Sequence, residues 1–173
     1  IKDVPYKTLR KILSDTKKRK DLRKKLKTLE IDKDNPLKGI LLIQMFEKSS
    51  LRTRLSFYLA IRQLGGSALT LRPDELHLSK GGESLSDTAK ILSTYGDVFV
   101  LRTDNEKKLN SFKKFLSIPL INGLSPNSHP AQILSDIFTI EEITKKNISR
   151  LNICWIGDSN NVLNSLIEAS IKF

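Results

Sequence analysis

Apolar residues recur along this chain in two alternating rhythms. Leu9, Ile12 and Leu13, then Leu22, Leu26 and Leu29, fall at three- and four-residue spacings. That period predicts one long amphipathic helix over residues 5–29, with Pro5 in its first turn, where a missing N–H costs nothing. Midway the apolar face lapses, and Thr16 and the stem of Lys20 must cover it. Residues 40–46 then form a continuous apolar run interrupted only by Gln44, which predicts a buried strand. Leu55, Tyr58, Leu59, Ile61 and Leu64 return to the helical period, and Gly65-Gly66 supplies the stop.

The alternation continues to the last residue. Strands are predicted over 67–71, 98–101, 119–122 and 151–156. Helices are predicted over 84–95, 105–116, 129–144 and from about 161 to Phe173. Residues 72–82, with Pro73, Gly81 and Gly82, show no period and read as a loop. Strands alternating with helices predict an α/β fold, a parallel sheet flanked by helices on both faces in three αβα layers. In such sheets ligands bind beyond the carboxyl ends of the strands. Applied here, the rule gathers Ser50 to Arg54 after the first strand, Arg102 at the end of the third, and His129 after the fourth.

Composition narrows the function. At 173 residues and 39% hydrophobic, the chain can bury one good core and part of a second. No apolar run approaches the roughly 20 residues of a membrane span, and no secretory or transit segment is visible. The lone Cys154 excludes an internal disulfide, fits a reducing compartment, and lies in an apolar run that predicts a buried position. Two histidines and one cysteine are too few for a structural zinc site, so no metal is expected. The net charge of +11 is concentrated: residues 1–38 hold 14 Lys/Arg against 6 Asp/Glu. Without interleaved aromatics for base stacking, this run reads as a solvated helix face, not a nucleic-acid site.

The chemistry centres on Phe46-Glu47-Lys48-Ser49-Ser50-Leu51-Arg52-Thr53-Arg54, at the first strand-to-helix turn. A helix N-terminus offers unpaired N–H groups and partial positive charge. Two arginines there oppose the helix dipole, so structure alone does not favour them. As bidentate donors they suit phosphate or carboxylate. Further on, His129-Pro130-Ala131-Gln132 places a His and a Gln three residues apart on one face of a helix start.

Phe-Glu-Lys-x-Ser-x-Arg-Thr-Arg and His-Pro-x-Gln-x-x-x-Asp together resemble the two carbamoyl-phosphate segments of the carbamoyltransferases, the ornithine branch in particular. Asn122-Gly123-Leu124 is also typical of that branch. Leu51 departs from the usual Ser-Thr-Arg-Thr-Arg. The resemblance implies that Ser50, Arg52, Thr53 and the backbone N–H of Leu51 hold the phosphate. It implies that Arg102 and His129, with Thr53, polarise the carbamoyl carbonyl, and that Gln132 accepts from the carbamoyl NH2. Arg54 would brace the loop through carboxylates. The segment from His77 to Glu83 resembles the loop that reaches a neighbouring subunit's site, through His77 or Lys80, which implies a homotrimer.

Trp155-Ile156-Gly157-Asp158-Ser159-Asn160-Asn161 looks like the turn that opens the ornithine-binding domain, with Asn161 on the amino-acid end of ornithine. Lacking Gly-x-Gly-x-x-Gly, it is no nucleotide site. The implied domains are 1–145 for carbamoyl phosphate and 146–173 for the first strand and helix of a second α/β domain. The implied partners are carbamoyl phosphate and L-ornithine, with no cofactor, nucleic acid or membrane. The family's His-Cys-Leu-Pro and Asp…Ser-Met-Gly segments do not occur in the 173 residues, so these alone are expected not to turn over. The expected location is the cytoplasm, or the mitochondrial matrix or a plastid after removal of a presequence. Rival expectations are a carbamoyltransferase for acetylornithine, putrescine or aspartate, and a non-catalytic phosphate-binding module.

Overall fold

A computed structural model of the protein describes residues 1–75 and 82–173, and these fall into two compact units. One unit is residues 26–125. Its sheet contains β1 (Leu41–Phe46), β2 (Ser67–Leu71), β3 (Val98–Arg102) and β4 (Leu120–Leu124), all parallel, in the order β2-β1-β3-β4. The crossovers carry α2 (Leu51–Gln63), α3 (Leu85–Tyr95) and α4 (Glu106–Phe115). The α/β expectation holds, because the apolar runs at β1 and β3 are long enough to be buried on both faces.

Alternate residues of β1 and β3 face opposite sides. Ile43, Met45, Phe99 and Leu101 pack with Ala89 and Leu92 of α3 and with Leu109 and Phe112 of α4. The rings of Phe99 and Phe112 lie 5.4 Å apart, centroid to centroid. Leu42 and Val100 face the other way, against Ile61 and the half-buried Phe57 of α2. That cover is thin: Leu51, Leu55 and Tyr58 of α2 remain exposed. The helix stops where Gly65 takes φ +92°, a conformation few side chains tolerate; a Cβ there would also strike the Asn35 side chain. Ser84 opens α3 by accepting from the Asp87 N–H at 3.1 Å while donating to the Asp87 carboxylate at 2.7 Å.

The other unit is residues 1–25 and 126–173, built from α1 (Tyr6–Leu22), α5 (Pro130–Thr144) and α6 (Asn161–Lys172). Leu13, Ile133, Ile137, Ile148 and Ala169 form its core. Arg10 pairs with Glu141 at 2.7 Å, and Lys20 with Glu142 at 2.6 Å. The expected boundary between 145 and 146 falls inside this unit, because α6 packs on α5.

Two elements differ from expectation. The helix predicted over 5–29 ends at Leu22 and passes through a single 3-10 turn, Arg23–Lys25. Only Leu9 and Leu13 of α1 are buried. Beyond them five cations fall between Arg19 and Lys25 with no apolar surface to offset their repulsion. The strand predicted over 151–156 is not formed. A strand exists only within a ladder, and no described segment pairs with these residues. Ile156 is 93% exposed. Cys154, expected inside, is exposed for the same reason.

Candidate active site

Phe46 ends β1 opposite Arg102, the last residue of β3. The next residue, Glu47, donates its N–H to the Arg102 carbonyl at 3.0 Å, so the loop after β1 starts tied to β3. That loop runs to Ser50, the N-cap of α2. Ser50 does not cap the helix with its side chain. Its hydroxyl accepts from Arg102 Nη1 at 3.1 Å instead. The first-turn N–H groups of α2, at Leu51, Arg52 and Thr53, are therefore left for another acceptor.

Arg102 is half-buried, and burial pushes its guanidinium below the ordinary arginine range. Its Nε is buried with no hydrogen-bond partner among the described residues. A buried donor left unmade costs about 1–3 kcal/mol. The ladder aims it. Pairing between β3 and β4 slips between Leu101 and Arg102, so that Leu101 faces Asn122 while Arg102 faces Leu124. Gly123 sits at the slip, where a Cβ would come within 3.1 Å of Val100 and 3.3 Å of the Leu101 carbonyl oxygen.

Charge around the loop is sorted. Glu47 accepts from the buried Thr103 hydroxyl and from Lys108 Nζ, the latter at 2.5 Å. Asp104 pairs with Lys48 at 3.2 Å. Among the described residues, no carboxylate lies within ion-pair distance of Arg52, Arg54 or Arg102. Arg54, expected to brace the loop through carboxylates, does not do so. Arg52 and Leu51 are exposed, and Thr53 is half-buried.

The chain matches the family described as "Aspartate/ornithine carbamoyltransferase, carbamoyl-P binding domain" over residues 1–142. This chain belongs to the aspartate/ornithine carbamoyltransferase family. An ornithine carbamoyltransferase of Rhizorhabdus wittichii is 42% identical over 161 residues, 93% of this chain and 52% of that protein. One from Oleidesulfovibrio alaskensis is 39% identical over all 173 residues, 54% of its own length. The solved ornithine carbamoyltransferase of Pyrococcus furiosus superposes with a TM-score of 0.88 at 37% identity, over 98% of this chain and 52% of that one. The anabolic enzyme of Campylobacter jejuni gives 0.83 at 37% identity, over 99% and 53%. The chain thus spans about half the length of the relatives it matches.

The remaining motif residues of this carbamoyltransferase-family chain lie in the unit of α1, α5 and α6. His129 is the buried N-cap of α5, and its N–H donates to Ser165 Oγ at 2.8 Å. Ser165, fully buried, donates in turn to the Asn161 carbonyl at 2.9 Å. One hydroxyl therefore joins the starts of α5 and α6, and with them two of the predicted site residues. Gln132 is exposed, and its NH2 donates to Asp136 at 2.8 Å, which leaves the amide oxygen as the acceptor end of the group. His77 and Lys80 lie outside the described residues. Among the described residues no group of three His, Cys, Asp or Glu could hold a metal, and no helix is long and apolar enough to cross a membrane.

Sequence reasoning missed Ser165, Thr103 and Lys108. Ser165 carried one faint signal, a hydroxyl one helical turn after Asn161. Lys108 carried none, being one lysine among several on a polar helix face.

Proposed function

We propose that this protein transfers the carbamoyl group of carbamoyl phosphate to the side-chain amine of L-ornithine, giving L-citrulline and phosphate. The observation that carries the reading is Arg102. It is a half-buried guanidinium that touches Ser50 at the start of α2 and keeps a buried Nε with no partner among the described residues. Family membership supplies the reaction class, and the ornithine enzymes among its relatives supply the acceptor.

In this reading Ser50, Arg52, Thr53 and the Leu51 N–H bind the phosphate at the helix N-terminus. An apolar residue at 51 retains that backbone donor. Arg102, His129 and Thr53 stabilise the charge that grows on the carbonyl oxygen as the neutral amine attacks. The new C–N bond forms as the C–O bond to phosphate breaks. Phosphate leaves with the bonding pair and takes up the proton released by the amine. His129 and Gln132 enter through their motif. With its NH2 held by Asp136, Gln132 presents an oxygen to the carbamoyl NH2. Asn161 takes the amino-acid end of ornithine. No metal, nucleophile or cofactor is required.

The proposed functional boundary lies between 145 and 146. Assembly as a homotrimer, with His77 or Lys80 serving a neighbour, is part of the proposal. The exposed apolar residues Leu51, Leu55 and Tyr58 on α2 support burial against another surface. The proposed compartment is the cytoplasm, with matrix or plastid as the alternative.

Calorimetry tests the binding half. Carbamoyl phosphate is expected to bind more tightly than inorganic phosphate. Arg52→Ala is expected to weaken it about 10- to 100-fold, as for hydrogen bonds to a charged group, with no loss of melting temperature. Equal affinities for the two ligands would favour a phosphate-binding module. Citrulline formation measured beside the products from acetylornithine, putrescine and aspartate decides the acceptor.

A further inference from the structure

Ser165 is a polar residue at a position that suits an apolar one. It is fully buried on α6, one helical turn before Ala169, which packs with Ile133 and Ile137. Alanine has the higher helix propensity and buries no polar group. Helix formation and packing therefore both favour alanine at 165, and the hydroxyl has to be accounted for by its bonds.

The direction of those bonds is fixed, because an amide N–H only donates and a carbonyl only accepts. The His129 N–H donates to Ser165 Oγ at 2.8 Å, and the Ser165 O–H donates to the Asn161 carbonyl at 2.9 Å. Neither helix start needs this hydroxyl as its cap. Asn160 caps α6 itself, accepting from the Val162 and Leu163 N–H groups at 2.9 and 3.1 Å. Pro130 opens α5 with no N–H to satisfy and a φ suited to the helix. What the hydroxyl adds is a link between the N-cap of α5, His129, and the first residue of α6, Asn161.

We propose that Ser165 is a positioning residue that couples the two substrates, by joining the group at the carbamoyl carbonyl to the group at the amino-acid end of ornithine. The proposal rests on the function given above, in which His129 and Asn161 hold those roles. Ser165 touches no substrate. A ligand on Asn161 fixes the first turn of α6, and with it the carbonyl that orients the Ser165 hydroxyl. The hydroxyl lone pair then faces the His129 N–H and fixes the N-cap from which the imidazole projects. Hydrogen bonds in a chain strengthen one another, and a turn ordered for one ligand need not be ordered again for the other. Such coupling is reciprocal, so carbamoyl phosphate tightens the hold on the amino acid by the same factor.

The test uses the intact protein as wild type, Ser165→Ala, Ser165→Cys and Ile137→Val. I137V loosens the same core by one methylene and breaks no hydrogen bond. Calorimetry measures carbamoyl phosphate binding with and without saturating L-norvaline. This amino acid has the amino-acid end and chain of ornithine but no side-chain amine, so no transfer to a side chain occurs. Norvaline is expected to tighten carbamoyl phosphate binding about tenfold in wild type and I137V, and less than about threefold in S165A. A lower melting temperature is expected of both S165A and I137V, so the coupling is what separates positioning from packing.

A factor under about threefold in wild type, over it in S165A, or as low in I137V as in S165A overturns the coupling and leaves the carbamoyl-phosphate site standing. Failure of wild type to bind carbamoyl phosphate at all overturns the function, and this proposal falls with it. Should S165A fail to fold, S165C decides, since a thiol is a weak donor and acceptor. A factor of about threefold or less in S165C supports the link, and a larger one overturns it.

Discussion

Replacing Arg102 by methionine is expected to cut kcat/KM for carbamoyl phosphate by about 10²- to 10³-fold, the usual cost of losing one preorganised donor to a developing oxyanion. The structural reason is specific. Burial already presses on the charge of this guanidinium, and its Nε is buried without a partner among the described residues. Those costs are carried in the resting protein and are recovered only when an acceptor arrives. Methionine fills a similar volume and strands no donor, so the melting temperature should stay level or rise. It does give up the hydrogen bond to Ser50, whose half-buried hydroxyl can turn to water. Steady-state kinetics with ornithine, read beside a thermal melt, checks both halves. A loss under about fivefold, small against that cost, or an equal loss of stability, would return Arg102 to a structural role.

Phe112→Ala is the largest expected effect on the fold. Phe112 is fully buried, stacks obliquely on Phe99 at 54°, and belongs to the cluster that joins α3 and α4 to the sheet. Truncation of such a ring costs about 3–5 kcal/mol through lost transfer energy and a residual cavity. Domain stabilities are typically about 5–15 kcal/mol, so the variant should unfold at markedly lower denaturant. Because α4 also carries Lys108, the arginine turn should lose its support at the same time. An unfolding free energy within about 1 kcal/mol of wild type, well below the cavity cost, would show that α4 is dispensable to the core.

Much of this was legible in the residues because local and long-range signals agreed. At β1 and β3 the apolar runs are unbroken enough to require burial on both faces, and Gly65, Ser84 and Gly96 mark helix ends where the pattern also changes. The arginine turn stood out for the opposite reason: its charges contradict local helix preference, which is why it is proposed as the site. Failures came where one signal stood alone. Leu26 and Leu29 kept the helical period after α1 had no surface left to bury. Leu151 to Ile156 had strand composition and no ladder. Lys108 and Ser165 were invisible because their partners, Glu47 and His129, lie 61 and 36 residues away in the chain. No window of sequence contains such a pair.

Ser165 has a consequence for motion. Its hydroxyl accepts from the His129 amide and donates to the Asn161 carbonyl, so the first turns of α5 and α6 share one hydrogen-bond chain. The His129 amide can exchange with solvent only after that chain of bonds parts. Its protection is therefore governed by fraying of α6, a helix more than thirty residues downstream, and not by α5 alone. Whatever steadies Asn161 also quiets His129.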